Sequence, residues 1–323
     1  MKFLKPFKEL NKKSVGEAGG KGASLGEMMR AGIPVPGGFV VLASTFDKFI
    51  EETDIGVAIT GELDSVNKDD VNSVDNASRV IQGLILEEDM PEDIKKEILA
   101  EYRRQKLDLV AVRSSATAED SSTASWAGEL ESYLCVTEKN LLESVKKCWA
   151  SLFTPRAIFY RIEKKLHKTK VSVAVVVQKM VNSEISGIVF TVHPVTQDKN
   201  QLIIEAGLGF GEAIVGGLIT PDSYVVDKSK IKNQKSKIMK GAILDINIAE
   251  QEKMIVRDKK GGTKEKKISK IEGGKQKLTG KEILELADIC IKIENHYKFP
   301  CDIEWALEKG KFYIVQSRPI TTL

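Results

Sequence analysis

The sequence predicts a mixed α+β protein in two lobes, on three observations: its length, the order of its helix-like and strand-like stretches, and the point where one gives way to the other. At 323 residues the chain accommodates about two domains of ~100–200 residues each. Helical periodicity dominates the first half, and beyond Gln178-Lys179-Met180-Val181 short β-branched runs separated by glycine loops take over. The lobes are therefore expected at 1–180 and 181–323. With 42% hydrophobic and 29% charged residues, the composition is that of a soluble globular protein and excludes collagen-like or disordered classes. No apolar run approaches the ~20 residues that span a bilayer. Lysines and a proline in Met1-Lys2-Phe3-Leu4-Lys5-Pro6 interrupt any signal-peptide core, so a cytoplasmic setting is expected.

From Gly16 to Val41 the expected order is glycine-rich loop, helix, strand. Ala23 to Met29 suits a helix, Ala31-Gly32 ends it, and Ile33-Pro34-Val35-Pro36 forces extended backbone into Gly37-Gly38-Phe39-Val40-Val41. Residues 42–108 read as a polar helical scaffold, in which Met90-Pro91-Glu92-Asp93 starts a helix through Ile94, Ile98 and Tyr102. A short strand, Leu109 to Val112, is expected to run into a loop of small hydroxylated residues from Arg113 to Ser125. A strand from Ser132 to Val136, helices at 139–152 and 155–166, and a buried strand over Val171 to Val177 complete the first lobe. In the second, strands are expected at 186–191, 201–206, 223–227 and 311–316, with one buried-face helix from Lys281 to Tyr297.

Four cysteines, Cys135, Cys148, Cys290 and Cys301, lack the spacing of a zinc site or a disulfide framework. The three histidines, His167, His193 and His296, form no triad or metal pattern. Net charge is +3, but between Lys228 and Lys277 there are 16 basic against 6 acidic residues, a surplus of 10 that leaves −7 on the remainder. No aromatic residue interleaves that segment, so a solvated basic hairpin is expected rather than a nucleic-acid surface.

Three constellations can carry chemistry. Gly16-Glu17-Ala18-Gly19-Gly20-Lys21-Gly22-Ala23-Ser24 offers freed backbone N–H groups, a helix N-terminus and an ammonium, which suit a phosphate, although the same loop fits an ordinary turn. It lacks the Ser or Thr that follows lysine in a P-loop. Arg113, followed by the hydroxylated run and Gly128, places a guanidinium able to grip two phosphate oxygens beside a lid; the bland alternative pairs it with Glu119 or Asp120. Near the C-terminus, Asp302-Ile303-Glu304-Trp305 and Val315-Gln316-Ser317-Arg318-Pro319 are expected in adjacent strands joined around Lys309-Gly310. Alternation puts Asp302 with Glu304, and Gln316 with Arg318, on shared faces, a set of oxygen donors suited to Mg²⁺. The bland alternative is an Arg318–Glu304 salt bridge.

Taken together, these pieces resemble the N-terminal nucleotide-binding domain of the phosphoenolpyruvate synthase and pyruvate phosphate dikinase family, shared with rifampin phosphotransferases. The resemblance rests on Gly19-Gly20-Lys21-Gly22-Ala23-Ser24-Leu25-Gly26-Glu27-Met28 with Gly32-Ile33-Pro34-Val35-Pro36, on Val112-Arg113-Ser114-Ser115-Ala116-Thr117-Ala118-Glu119-Asp120, on Val177 to Val181 with Ser186-Gly187, and on Asp302 to Leu307 with Ile314 to Pro319. These run in the family's order along nearly the whole chain. The resemblance implies an ATP-grasp-like fold with ATP between two lobes. It further implies that Lys21 and Arg113 bind phosphates, Gly128 and Ser132 line the lid, and Gln178, Lys179, Met180 and Val181 form the hinge against adenine. Asp302, Glu304 and Gln316 would hold Mg²⁺, and Arg318 would stabilise the phosphoryl group in flight.

Family members continue into a swivelling domain with a phosphoacceptor histidine, and no such motif occurs up to Leu323. Where many relatives have Gly-Gln-Gln after the lid glycine, Gly128-Glu129-Leu130 stands here. The expected function is therefore that of an ATP half, passing a phosphoryl group from Mg-ATP to a histidine on a separate domain or partner, with AMP and phosphate as products. A direct small-molecule kinase, a non-catalytic ATP sensor and a piece of a longer protein are the alternatives.

Overall fold

The computed structural model describes residues 2–117, 131–163, 172–232, 241–259 and 261–320, together with the backbone of two short strands between 118 and 130. The predicted lid glycine, Gly128, lies outside the described residues. The chain divides into two units, Met1–Glu27 with Gly37–Met180, and Met28–Pro36 with Val181–Leu323.

In order, the first unit contains β1 (Leu4–Pro6), α1 (Val15–Arg30, whose last turn belongs to the second unit), β2 (Gly38–Val41), α2 (Ala43–Glu52), α3 (Gly56–Asp64), α4 (Val71–Glu87), α5 (Glu92–Arg104) and β3 (Val110–Ala116). There follow β4 (Asp120–Ser121), β5 (Ala124–Ser125), β6 (Ser132–Val136), α6 (Glu138–Ala150), α7 (Pro155–Glu163) and β7 (Val173–Lys179). Local chemistry explains the helix ends. The Asp70 carboxylate caps α4 by accepting from Asn72 N–H at 3.0 Å, and α5 follows Pro91 with acids in its first turn and arginines in its last. The strands form an antiparallel sheet in the order β1-β2-β7-β3-β6. Phe39, Val41, Val112, Val175 and Val177 join the helices in one apolar core, where Trp149 meets Phe46 and Phe49 at ring separations of 5.8 and 5.0 Å.

Two expectations change here. The glycine-rich stretch expected as a loop is already helical from Val15, because the helix is interrupted only at Gly19 (φ 67°). The hydroxylated run does not begin after the strand but inside it: β3 continues to Ala116, with Ser114 and Ser115 buried between the flanking strands. Small serines fit where backbone ladders on both sides satisfy the main chain.

The second unit contains β8 (Ile185–Phe190), β9 (Gln201–Leu208), α8 (Glu212–Val215), β10 (Asp222–Asp227), α9 (Lys228–Lys232), β11 (Ile243–Asn247), β12 (Lys253–Arg257), β13 (Thr263–Lys267), α10 (Lys270–Gly273), α11 (Gly280–Tyr297), β14 (Cys301–Glu308) and β15 (Lys311–Pro319). Its main sheet is antiparallel in the order β11-β10-β9-β8-β14-β15, and β12 and β13 make a separate hairpin. Residues 28–36 join this unit, where Ile314 N–H donates to the Pro34 carbonyl at 2.9 Å. A reciprocal Thr279–Glu282 capping box starts α11, whose Ile283, Leu286, Ala287 and Cys290 are buried.

The basic segment is not solvated at its ends. Lys277 pairs with Asp222 at 2.9 Å, with both side chains almost fully buried, and Asp222 also accepts from Tyr224 Oη (2.7 Å) and from the N–H groups of Ala249 (3.0 Å) and Lys277 (2.9 Å). Lys228 reaches Glu294 at 2.9 Å and the Thr191 carbonyl at 2.6 Å. A lysine is buried only when its charge is met, and here both are.

Candidate functional site

In the first unit, the cross-strand pairs Arg113–Val176, Ser115–Ala174, Ala111–Gln178 and Gly38–Gln178 set Arg113, Ser115, Val176 and Gln178 on one face, opposite the apolar core. Helix α1 lies on this face. A Cβ at Gly19 would run into Ser115, and one at Gly22 would come within 2.9 Å of Val40, so these glycines let helix and sheet approach closely. Because Gly19 breaks the helical ladder, the turn that starts at Gly20 is a new helix N-terminus, with half-buried Lys21 in it. Ser132 faces Arg113 across β3 and β6, and Ser114 ties down the same crossing by donating from Oγ and N–H to the Glu131 carbonyl at 2.9 and 3.1 Å. The structure thus places Arg113 and Ser132 side by side.

The segment expected against adenine ends β7. The N–H groups of Lys179 and Met180 already donate to the carbonyls of Gly37 (2.7 Å) and Leu109 (2.9 Å), so neither is left for a base. Gln178 is 2% exposed and its Nε2 has no hydrogen-bond partner. A buried amide donor without an acceptor is uncommon and is relieved by a ligand or water. Lys179 is exposed, Met180 half-buried, and Val181 buried at the start of the second unit's main segment.

In the second unit, β14 and β15 form the expected hairpin, with Lys309 (φ 50°) and Gly310 (φ 71°) in the tight turn. Asp302 is opposite Arg318 and Glu304 is opposite Gln316. A bulge at Val315 makes that alignment work. Strict alternation would put Ile314, Gln316 and Arg318 on one face; the extra residue keeps Ile314 beside buried Trp305 and turns Gln316 and Arg318 to the face of Glu304 and Asp302. Arg318 donates from Nε and Nη2 to Asp302 Oδ2, each at 2.8 Å, which makes an ion pair with Asp302. Burial nevertheless raises the Asp302 carboxyl above its ordinary value, with Arg318 offsetting only part of the cost.

Sequence reasoning missed one residue on this face. Glu205 of β9 pairs with Ile188, which pairs in turn with Glu304, so Glu205, Ile188, Glu304 and Gln316 form one cross-strand row. Burial, and then the Asp302 charge, push its carboxyl up. The available signal was a lone acid inside the otherwise apolar run Leu202-Ile203-Ile204-Glu205-Ala206.

The donors on this face are carboxylate and amide oxygens, which suit magnesium and not zinc. Among the described residues no group of three or more His, Cys, Asp or Glu side chains is placed to hold a metal. A cation here would need Gln316 and ligand oxygens to complete its shell, which is how magnesium binds with nucleotides.

The family model described as pyruvate phosphate dikinase, AMP/ATP-binding domain, matches residues 15–323. The chain belongs to this family. The Gly19–Ser24, Val112–Asp120, Val177–Val181 and Asp302–Pro319 stretches all fall within the matched region, and the α+β architecture is that of its ATP-grasp-like fold. Among curated relatives, the chain is 46% identical to a probable phosphoenolpyruvate synthase of Methanocaldococcus jannaschii, over 100% of this chain and 27% of the relative. It is 49% identical to a probable phosphoenolpyruvate synthase of Archaeoglobus fulgidus, over 98% of this chain and 41% of the relative. A rifampicin phosphotransferase of Bacillus subtilis is 41% identical over 98% of this chain and 35% of its own length. The chain therefore spans less than half of each of these relatives.

Proposed function

We propose that this dikinase-family domain binds Mg-ATP and passes a phosphoryl group to a histidine on a separate domain or partner protein. The observation that carries this reading is the β14–β15 register, which sets Glu304 beside Gln316 and Asp302 beside Arg318 on one sheet face. In this reading Lys21, the helix turn after Gly19 and Arg113 hold phosphate oxygens, with Gly128 and Ser132 over them. The 178–181 segment holds the base, with the Gln178 amide as donor.

Magnesium, held by Glu304 and Gln316 with Asp302 alongside, would neutralise phosphate charge. Asp302 holds the Arg318 guanidinium in a fixed position, so its N–H groups need no reorganisation when charge develops on the transferred group. In the dikinase type the incoming imidazole nitrogen forms an N–P bond to the β-phosphorus as the α,β-bridging P–O bond breaks and AMP leaves; water then attacks the γ-phosphorus, the β,γ-bridging P–O bond breaks, and phosphate departs while the β-phosphoryl group stays on the histidine. Scarce histidine in this chain is consistent with an acceptor supplied from elsewhere. We also place the protein in the cytoplasm, a reading supported by buried, unbridged cysteines and by the absence, among the described residues, of a helix able to cross a membrane.

Phosphorus NMR of the chain with Mg²⁺ and ATP tests this. Shifted ATP resonances without turnover, followed by AMP and phosphate once a phosphoacceptor domain from a relative is added, are expected. ADP would instead indicate a direct kinase, and binding that never leads to turnover a sensor. Arg318→Ala should cut transfer by at least ~10³-fold, the scale of arginines that stabilise phosphoryl transfer, while circular dichroism shows a folded chain.

A further inference from the structure

Three carboxylates turned into the second unit each meet a cation: Asp222 meets Lys277, Glu294 meets Lys228, and Asp302 meets Arg318. Glu205 is half-buried at the centre of the same sheet, and its carboxylate has no hydrogen bond or ion pair among the described residues. The Asp302 charge, of the same sign, also acts on it. A carboxylate withdrawn from water beside another acid is unfavourable unless positive charge arrives from outside the protein. Every other feature of its surroundings points to where that charge would come from. Glu205 shares its row with Glu304 and Gln316, with only Ile188 of β8 between it and Glu304. Neighbouring strands are ~4.8 Å apart, so the Glu205 and Glu304 backbones are separated by roughly 10 Å, a span that two glutamate side chains and a partly hydrated cation can bridge.

We propose that Glu205 is a further positioning residue of the nucleotide face, helping Glu304 hold the divalent cation that arrives with ATP. This rests on the Mg-ATP reading above. Glu205 then sets how strongly the metal-loaded nucleotide is preferred over the free one, and its own charge is met only in the complex.

The test is ATP binding by calorimetry, with Mn²⁺ as the cation and its EPR signal as a second readout, in Glu205→Gln, Glu205→Asp and Glu304→Gln chains. Glu205→Gln is expected to weaken Mn-ATP binding by about 10-fold, as loss of a supporting metal partner does. It should leave ATP binding in EDTA unchanged or slightly tighter, and Glu205→Asp should recover part of the loss. Unchanged Mn²⁺ dependence in Glu205→Gln, with that dependence lost in Glu304→Gln, would overturn the role of Glu205 alone. If Glu304→Gln also bound Mn-ATP normally, the Mg-ATP reading would fall and the role of Glu205 with it. Equal weakening with and without metal in Glu205→Gln would mean a purely structural effect and would likewise overturn the proposal.

Discussion

The two units hold their sheets together by different means. In the first, one sheet face packs into an apolar core around Trp149 and the other lies against a helix that glycines bring close. In the second, α11 covers apolar residues, but buried ion pairs also anchor the sheet: Asp222–Lys277 ties β10 to the segment before α11, and Lys228–Glu294 ties α9 to α11. A packed core loses stability by volume and shape; a buried ion pair loses it when one partner is removed and the other stays charged in the interior. The unit that carries the charged hairpin is therefore also the one whose stability depends most on charge.

Breaking the second kind of anchor should have the largest effect. Lys277→Met leaves Asp222 buried without its cation and should cost about 3–5 kcal/mol. Trp149 lies in the first unit and Trp305 in the second, so urea unfolding of single-tryptophan variants can follow each unit. The Trp305 transition is expected to move to lower urea and the Trp149 transition to stay. Movement of both together would show that the two units unfold as one.

Gly19→Ala attacks the first unit where helix meets sheet. Alanine at φ 67° is strained and its Cβ meets Ser115, so a loss of roughly 2–4 kcal/mol is expected. Here the Trp149 transition should move instead. A Gly19→Ala chain of unchanged stability would mean that α1 does not need this close approach.

The smallest effect sharpens the contrast, because the first unit also has a charge-dependent tie. Burial works to raise Glu101, but hydrogen bonds from Arg104 (2.6 Å) and Gln105 (2.6 Å) outweigh it and hold the carboxyl below its ordinary value, while Gln105 also donates to the Gly38 carbonyl at 3.2 Å. A depressed carboxyl stabilises the fold above the unfolded-state value, and that gain is lost as pH falls through the depressed one. Glu101→Gln should thus lower the urea midpoint at pH 7 by the equivalent of about 1 kcal/mol or less. The difference should shrink below the ordinary glutamate value of 4.5. A difference independent of pH would assign the effect to packing.

Much of this was legible beforehand. Pro91 with its following acids marked the start of α5, the apolar spacing of Ile283 to Ile291 marked α11, and Lys309-Gly310 marked the hairpin turn. The motifs from Gly19 to Pro319, in their order, pointed to the family that the comparisons show. Other features were hidden for identifiable reasons. Glycines favour loops on average, so a helix running through Gly16 to Gly22 and broken only at Gly19 departs from local propensity, because close packing on β2 and β3 outweighs it. Lys228 and Lys277 looked like part of a charged surface because composition cannot show that an aspartate 55 residues away, or a glutamate 66 residues away, waits to pair with them.

The sequence by itself determined which residues alternate along each strand, where the chain turns, and which family its motifs belong to, because these depend on neighbours in the chain. Only the tertiary structure decided that Arg318 pairs with Asp302, that Val315 bulges to bring Gln316 opposite Glu304, and that Glu205 stands in the same row. Period-two alternation says which residues share a face, but the identity of the facing residue depends on register, and one inserted residue changes it.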